Sequence, residues 1–339
     1  MTEGITLHKV AHEAESGISP EQEIALYKAM LRIRRSEEIL AELYKEKEMR
    51  TPTHFGIGQE AVAVGVCTAL ETDDVVYTHH RCHTHYLAKG GSLLGLVAEL
   101  YGRETGCSRG RGGSVHLTDH RVGMIGSSPI VGEGVALAVG SALAFSMDSL
   151  PRVATTFFGD ATLEEGVFYE SLNYASVHKL PVLFVCENNL YSTESPLSVR
   201  QPKGTELCER ARAFKVPAQR IDGNDVNAVY NAARKAVADI RNGNGPFFLE
   251  CFTYRWREHV GPYFDHELGR TYRSREELEE WMKKCPVIRS GERLKAKGIA
   301  TEASLQAWLK EIEDEIAKTV AEAKASPWPD PSTLFNNVY

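Results

Sequence analysis

The sequence of 339 residues has no CxxC pair, no GxGxxG following an apolar run, no apolar tract long enough to cross a membrane and no excess of basic residues. Each absence excludes a class of protein. Seven cysteines, odd in number and scattered from Cys67 to Cys285, suit neither a disulfide framework nor a zinc site, and point to a reducing cytoplasm. Gly110-Arg111-Gly112-Gly113 has neither the spacing nor the preceding strand of a dinucleotide fingerprint. With 39 Lys and Arg against 46 Asp and Glu, the net charge of -7 argues against nucleic acid as a partner. The segment MTEGITLHKVAHEAESG lacks the apolar core of a signal peptide and the Arg-rich pattern of a transit peptide, so neither export nor a membrane is expected. Two short basic clusters, Arg109–Arg111 and Arg255–Arg257, read as anion contacts within a site.

What is present is an alternation of strands and helices. Residues 1–18 show no strong periodicity and are expected to form a loose arm. Ser19-Pro20-Glu21-Gln22 then supplies an N-cap and a proline at the first helical position, opening a helix expected to run to about residue 49. Val75–Thr78, Val153–Phe158, Val182–Glu187, Ala218–Ile221 and Phe247–Phe252 read as strands. Helical segments lie between them near 59–71, 91–104, 131–147, 163–178, 205–214 and 225–241. This order predicts an α/β fold, a mostly parallel sheet with helices on both faces. A charged helical stretch over 274–325 completes a single domain of residues 19–325 with helical extensions at both ends. Pro327, Pro329 and Pro331 mark a C-terminal tail, 326–339.

Parallel sheets place ligands beyond the carboxyl ends of their strands, which directs attention to the loops after Phe158 and Glu187. The first contains Gly159-Asp160-Ala161-Thr162. The second contains Asn188-Asn189-Leu190-Tyr191, with Asn189 standing 29 positions after Asp160. Strand ends joined by one crossover helix bring an Asp carboxylate and an Asn carbonyl to one edge. These are hard oxygen donors of the kind magnesium takes while keeping phosphates among its ligands. Amide groups at the start of the next helix would face an anion there.

That spacing resembles the Gly-Asp-Gly…Asn-Asn motif of thiamine-diphosphate enzymes. Further segments resemble one family, the alpha subunit of the decarboxylating component of 2-oxo acid dehydrogenase complexes (pyruvate, branched-chain and acetoin types). They are His54-Phe55-Gly56-Ile57-Gly58-Gln59-Glu60-Ala61, Tyr77-Thr78-His79-His80-Arg81-Cys82-His83, Gly112-Gly113-Ser114-Val115-His116, and Thr253-Tyr254-Arg255-Trp256-Arg257-Glu258-His259. The resemblance implies a thiamine-diphosphate-binding fold. It implies Mg2+ held by Asp160, Asn189 and the backbone carbonyl of Tyr191. It puts His80, Arg81, Ala161 and Thr162 on the diphosphate, Gly123 and Ile125 along the aminopyrimidine ring, and His83 and His259 in acid–base or substrate-carboxylate roles. His116 is expected to make a structural hydrogen bond. The carboxylate that activates the cofactor comes in this family from a beta subunit, not from Glu60. The implied unit is therefore an inactive chain completed as an α2β2 heterotetramer, acting on a 2-oxo acid or acetoin, with a lipoyl acyltransferase as a further partner.

Three positions depart from the family pattern: Ala161 replaces the second glycine, His80 the usual tyrosine, and Val260 the serine phosphorylated in mitochondrial members. Ser127-Ser128-Pro129 resembles a stretch of branched-chain members. Two alternatives stay open at this point, a transketolase-like carbon–carbon transferase using the same cofactor and a subunit that no longer binds it.

Overall fold

The computed structural model describes residues 17–336, so most of the expected N-terminal arm lies outside the described residues. Eight strands form: β1 (Val75–Thr78), β2 (Met124–Ser127), β3 (Ala154–Gly159), β4 (Val182–Asn188), β5 (Tyr191–Ser192), β6 (Ser195–Pro196), β7 (Ala218–Asp222) and β8 (Phe247–Phe252). Six of them make one sheet in the order β2-β1-β3-β4-β8-β7, and every pairing is parallel. The antiparallel β5–β6 pair is a small hairpin on the loop after β4.

Side chains alternate across this sheet, as the pleat requires. Val76, Phe157, Leu183, Val185, Leu249 and Cys251 enter one apolar layer. Val75, Tyr77, Phe158, Val182, Phe184, Cys186 and Phe248 enter the other. The first layer is closed by α1 (Pro20–Tyr44), α2 (Glu60–Thr68), α3 (His83–Ala88), α4 (Leu93–Leu100) and, further along the chain, the helix Val226–Asp239. The second is closed by α5 (Glu133–Met147), α6 (Gly166–Val177) and the helix Leu207–Ala213. Both faces are buried, which is why the central strands read as unbroken apolar runs.

The α1 helix starts where expected, with Ser19 Oγ accepting from the Gln22 amide at 3.2 Å. It ends at Tyr44 instead of near 49, because Lys45 to Lys47 turn and Lys47 takes φ 63°. The charged stretch after residue 274 is three helices, Arg275–Met282, Pro286–Ala296 and Glu302–Ala325. Beyond them the tail folds back on the body: Pro327 O accepts from the Glu104 amide at 2.9 Å, and Arg103 lies over the Trp328 ring.

β2 was not expected, and it matters for the site. Gly123 and Gly126 make the segment read as a loop, yet it pairs with β1 in parallel, Val76 opposite Met124. The chain runs β1→β2 in one direction and β3→β4 in the other, so the order reverses between β1 and β3. A crevice is expected outside the carboxyl ends at such a reversal.

Candidate active site

A cavity of about 300 Å³ opens at that reversal. Its walls come from the ends of β1 (Thr78, His79, His80, Arg81), β3 (Gly159 to Thr162) and β4 (Glu187, Asn189, Tyr191). The start of α5, Gln59, His54 and the loop after β8 (Arg255, His259) complete it. Gly159 pairs with Glu187, so the residues following each strand project from adjacent strand ends.

Asp160 is 1% exposed. Burial raises its carboxyl above the ordinary carboxylate value, and Arg200 opposes that shift. Arg200 reaches it from the short helix Leu197–Arg200 and also pairs with Glu164. The Asn189 side chain donates to Gln59 Oε1 at 3.4 Å and accepts from the Tyr191 amide at 3.2 Å. That second bond folds the loop back on itself, with Leu190 at φ 72°. Tyr191 is anchored through its hydroxyl, which donates to the Glu277 carboxylate at 2.8 and 2.9 Å.

The cationic wall is Arg81, buried, with Nη1 donating to Phe55 O at 2.6 Å and Nη2 to His259 O at 3.3 Å. Burial, with the repulsion of Arg255 added, brings its pKa down to about 9, so it stays charged at neutral pH. Arg255 is itself fixed by the carbonyls of Arg257 and Thr193 and by the Tyr272 hydroxyl.

Around this charge the histidines are held neutral. Burial first, and Arg81 next, push His54 down to about 2 and His259 to about 3. His80 is lowered for the same first reason. The cavity thus carries fixed arginine charge with neutral, hydrogen-bonding imidazoles beside it. Glu187 balances part of that charge. Burial alone would raise its carboxyl, yet His85 and His79 together hold it down at about 2. The Arg81 amide donates to His79 Nδ1 at 3.0 Å, which leaves the proton on Nε2 to be given to Glu187 Oε2 at 2.7 Å.

The expected residues divide cleanly. His80, Arg81, Asp160, Ala161, Thr162, Asn189, Tyr191 and His259 meet at the cavity. Gly123 and Ile125 do not. Gly123 precedes β2, beside the beginning of β1, whereas the cavity opens beyond the other ends of those strands. At φ 75° its Cα approaches Asp74 O so closely that a Cβ would sit 2.1 Å from it. Ile125 packs into the layer with α5. The stretch that lines the cavity instead is Ser128 to Gly132. His83 also lies apart from the cavity lining. It is fully buried in α3, and both ring nitrogens are engaged, Nδ1 with Glu37 Oε1 at 2.6 Å and Nε2 with Ser114 Oγ at 2.9 Å. It ties the Gly-Gly-Ser loop to α1 and is not a wall of the cavity. His116 is exposed, and its carbonyl accepts from Ser108 Oγ at 2.8 Å.

Of the two basic clusters only the second contributes, through Arg255. The loop at 108–113 binds a carboxylate of its own: Glu99 accepts from the amides of Ser108, Gly110, Gly112 and Gly113 at 2.7 to 3.0 Å. Sequence reasoning missed His54, Glu187 and Arg200. His54 and Glu187 adjoin motifs that were read, but nothing local marks Arg200.

The strand order, the cavity at its reversal and the donors on adjacent strand ends define an α/β cofactor-binding protein. The chain belongs to the dehydrogenase E1 component family, whose model matches residues 28–332. It is 37% identical over 323 residues to the alpha subunit of acetoin:2,6-dichlorophenolindophenol oxidoreductase of Bacillus subtilis (strain 168), covering 95% of each chain. It is 38% identical over 321 residues to the pyruvate dehydrogenase E1 component subunit alpha of Rhizobium meliloti (strain 1021), covering 94% of this chain and 90% of that one. The mitochondrial pyruvate dehydrogenase E1 component subunit alpha of Solanum tuberosum is 39% identical over 322 residues, with 95% and 80% covered. Membership makes the chain a component of an oxidoreductase of the 2-oxo acid dehydrogenase type.

Proposed function

We propose that this chain is the alpha subunit of a thiamine-diphosphate- and Mg2+-dependent enzyme that decarboxylates a 2-oxo acid or cleaves acetoin. In this reading it works with a beta subunit in an α2β2 assembly and passes the acyl group to lipoamide on a lipoyl acyltransferase. The observation that carries the proposal is the meeting of Asp160, Asn189, His80 and Arg81 in one cavity at adjacent strand ends.

The donor set fits the cofactor. Asp160 and Asn189 offer hard oxygens, and the Tyr191 carbonyl would complete a half-shell suited to magnesium with phosphate oxygens opposite. The positive charge that Asp160 requires is supplied by Arg200, and a dication would take over that task. Arg81, still charged, would meet the diphosphate with His80 and the backbone of Ala161 and Thr162. Thiamine diphosphate held there would supply a nucleophilic carbon and an electron sink for the decarboxylation. His54 and His259 would offer neutral ring nitrogens on the same wall, able to hydrogen-bond a substrate carboxylate or donate a ring proton.

One group is missing from this wall. Among the described residues the only carboxylates lining the cavity are Asp160 and Glu187, the first paired with Arg200 and the second held by His79, with His85 3.3 Å from its other oxygen. Glu60 is fully buried against Arg34 instead. A carboxylate that activates the cofactor has to come from another chain. Exposed Ile130 and Val131 on the rim, continuing to Leu137 and Met147 on α5, offer an apolar face for it beside the cavity. The seven unpaired cysteines suit a reducing compartment, and we place the enzyme in the cytoplasm.

The test is co-expression with a beta-type subunit, followed by a 2-oxo acid and acetoin screen with an artificial electron acceptor. Turnover that needs both chains, thiamine diphosphate and Mg2+ is expected. Absence of cofactor binding by calorimetry with both chains present would overturn the proposal, and so would decarboxylation by this chain alone.

A further inference from the structure

In the wall of the same cavity, three imidazoles converge from distant parts of the chain. His54 precedes α2, His80 follows β1, and His259 lies in the loop after β8. Their ring centroids are 4.5, 5.1 and 5.3 Å apart, and one ring nitrogen of each lies within 4.8 Å of the others. His54 is 8% exposed, and its Nδ1 is buried without a hydrogen-bond partner. An orphaned ring nitrogen of this kind calls for a ligand.

The spacing has a specific meaning. Zinc–imidazole bonds of about 2.0–2.1 Å at tetrahedral angles put neighbouring ring centres about 5 Å apart. The rings already stand at that separation, and small rotations of His80 and His259, both only partly buried, would turn their nitrogens inward. We propose that His54, His80 and His259 form a three-imidazole site for a transition-metal dication of the zinc class, separate from the oxygen-donor site at Asp160.

Donor chemistry keeps the two sites apart. Magnesium takes oxygen ligands, while neutral imidazole suits zinc, cobalt, nickel and copper. Three protein nitrogens leave a fourth position open to the cavity, where phosphate or carboxylate would complete the shell. Such an anion also offsets the nearby guanidiniums of Arg81 and Arg255, which otherwise oppose a cation here. The trio includes His80, which stands where the family has tyrosine, so the site is a property of this sequence and not of the family pattern. It shares the wall assigned to the diphosphate, and a zinc-class ion is therefore expected to compete with, or clamp, that group. The inference requires only the three rings and stands apart from the thiamine reading.

The test is a cobalt(II) titration of the purified full chain, read by the visible absorption of four-coordinate cobalt. One equivalent is expected to bind, to be displaced by Zn2+ and to be unaffected by excess Mg2+. His80→Tyr should weaken cobalt binding by at least about 100-fold, since losing one of three ligands exceeds the effect of an outer-shell change. Asp160→Asn should leave it unchanged. Circular dichroism checks that each variant folds, and His259→Gln gives the same readout should His80→Tyr not fold. Absence of the absorption, its persistence in the histidine variants, or its loss in Asp160→Asn would each overturn the site. Loss of thiamine diphosphate binding with cobalt binding intact would refute the cofactor reading alone.

Discussion

Glu60 offers a sharp separation of structure from chemistry, because it lies in a motif beside the cavity yet does not line it. Its carboxylate takes Arg34 Nε at 2.7 Å and Nη2 at 2.8 Å, and accepts from the Gly58 amide at 2.9 Å. Glu60 has no exposed surface and Arg34 is 6% exposed, stacked over Trp256 at 4.1 Å. Burial works against the charge on Arg34, but the Glu60 carboxylate outweighs it and raises the guanidinium pKa further. Glu60→Gln keeps the volume and an acceptor for Gly58 but leaves that buried cation with only the more distant Glu38 carboxylate, at 4.0 Å. Breaking a buried pair in this way costs about 3–5 kcal/mol. Urea unfolding followed by tryptophan fluorescence, with Trp256 as a local reporter, should show the unfolding free energy falling by that amount, as a lower midpoint at unchanged slope. Thiamine diphosphate affinity under native conditions should hold near the parent value. A variant that unfolds like the parent while losing cofactor binding or turnover would refute this assignment and return Glu60 to the chemistry.

Three further outcomes follow from the cavity and its surroundings. Asp160→Asn removes the carboxylate of the proposed magnesium site, so calorimetry should show Mg2+-dependent cofactor affinity falling by at least about 100-fold. Acid should destabilise the chain. His54 and His259 have folded pKa values of about 2 and 3, below the value near 6.5 of the unfolded chain, so the unfolded state takes up protons first as pH falls. Stability is then complete above about pH 6.5 and declines below it, by up to about 1.4 kcal/mol per ring at pH 5.5. Urea midpoints at pH 7.5 and 5.5 test this, and His259→Asn should flatten the difference. Gly123→Ala places a Cβ 2.1 Å from Asp74 O at a positive φ, so the thermal midpoint should fall by more than about 1 kcal/mol implies. Cofactor affinity of the folded variant should be unaltered, whereas a selective loss of affinity would reinstate Gly123 at the cofactor.

The parts of the site that the sequence made legible are those carried by strand ends. Val182–Asn188 and Ala154–Gly159 announce themselves as apolar runs, and pairing them in parallel puts Asp160 and Asn189 side by side by register alone. A side chain that follows a recognisable strand inherits its place from that strand. Placement along a short edge strand is harder to read. Met124–Ser127 follows Gly123 and contains Gly126, is only four residues long and sits at the sheet edge, so nothing in its periodicity separates it from a loop. The family resemblance gives Gly123 and Ile125, while Ser128 to Gly132 line the cavity. His83, marked by the family resemblance, opens α3, and its ring meets Glu37 and Ser114, partners 46 and 31 residues away. Arg200 and the trio of His54, His80 and His259 depend wholly on such long returns of the chain. Motif spacing describes one edge of one sheet, while the charge balance of the cavity is set by loops that only the folded chain brings back to it.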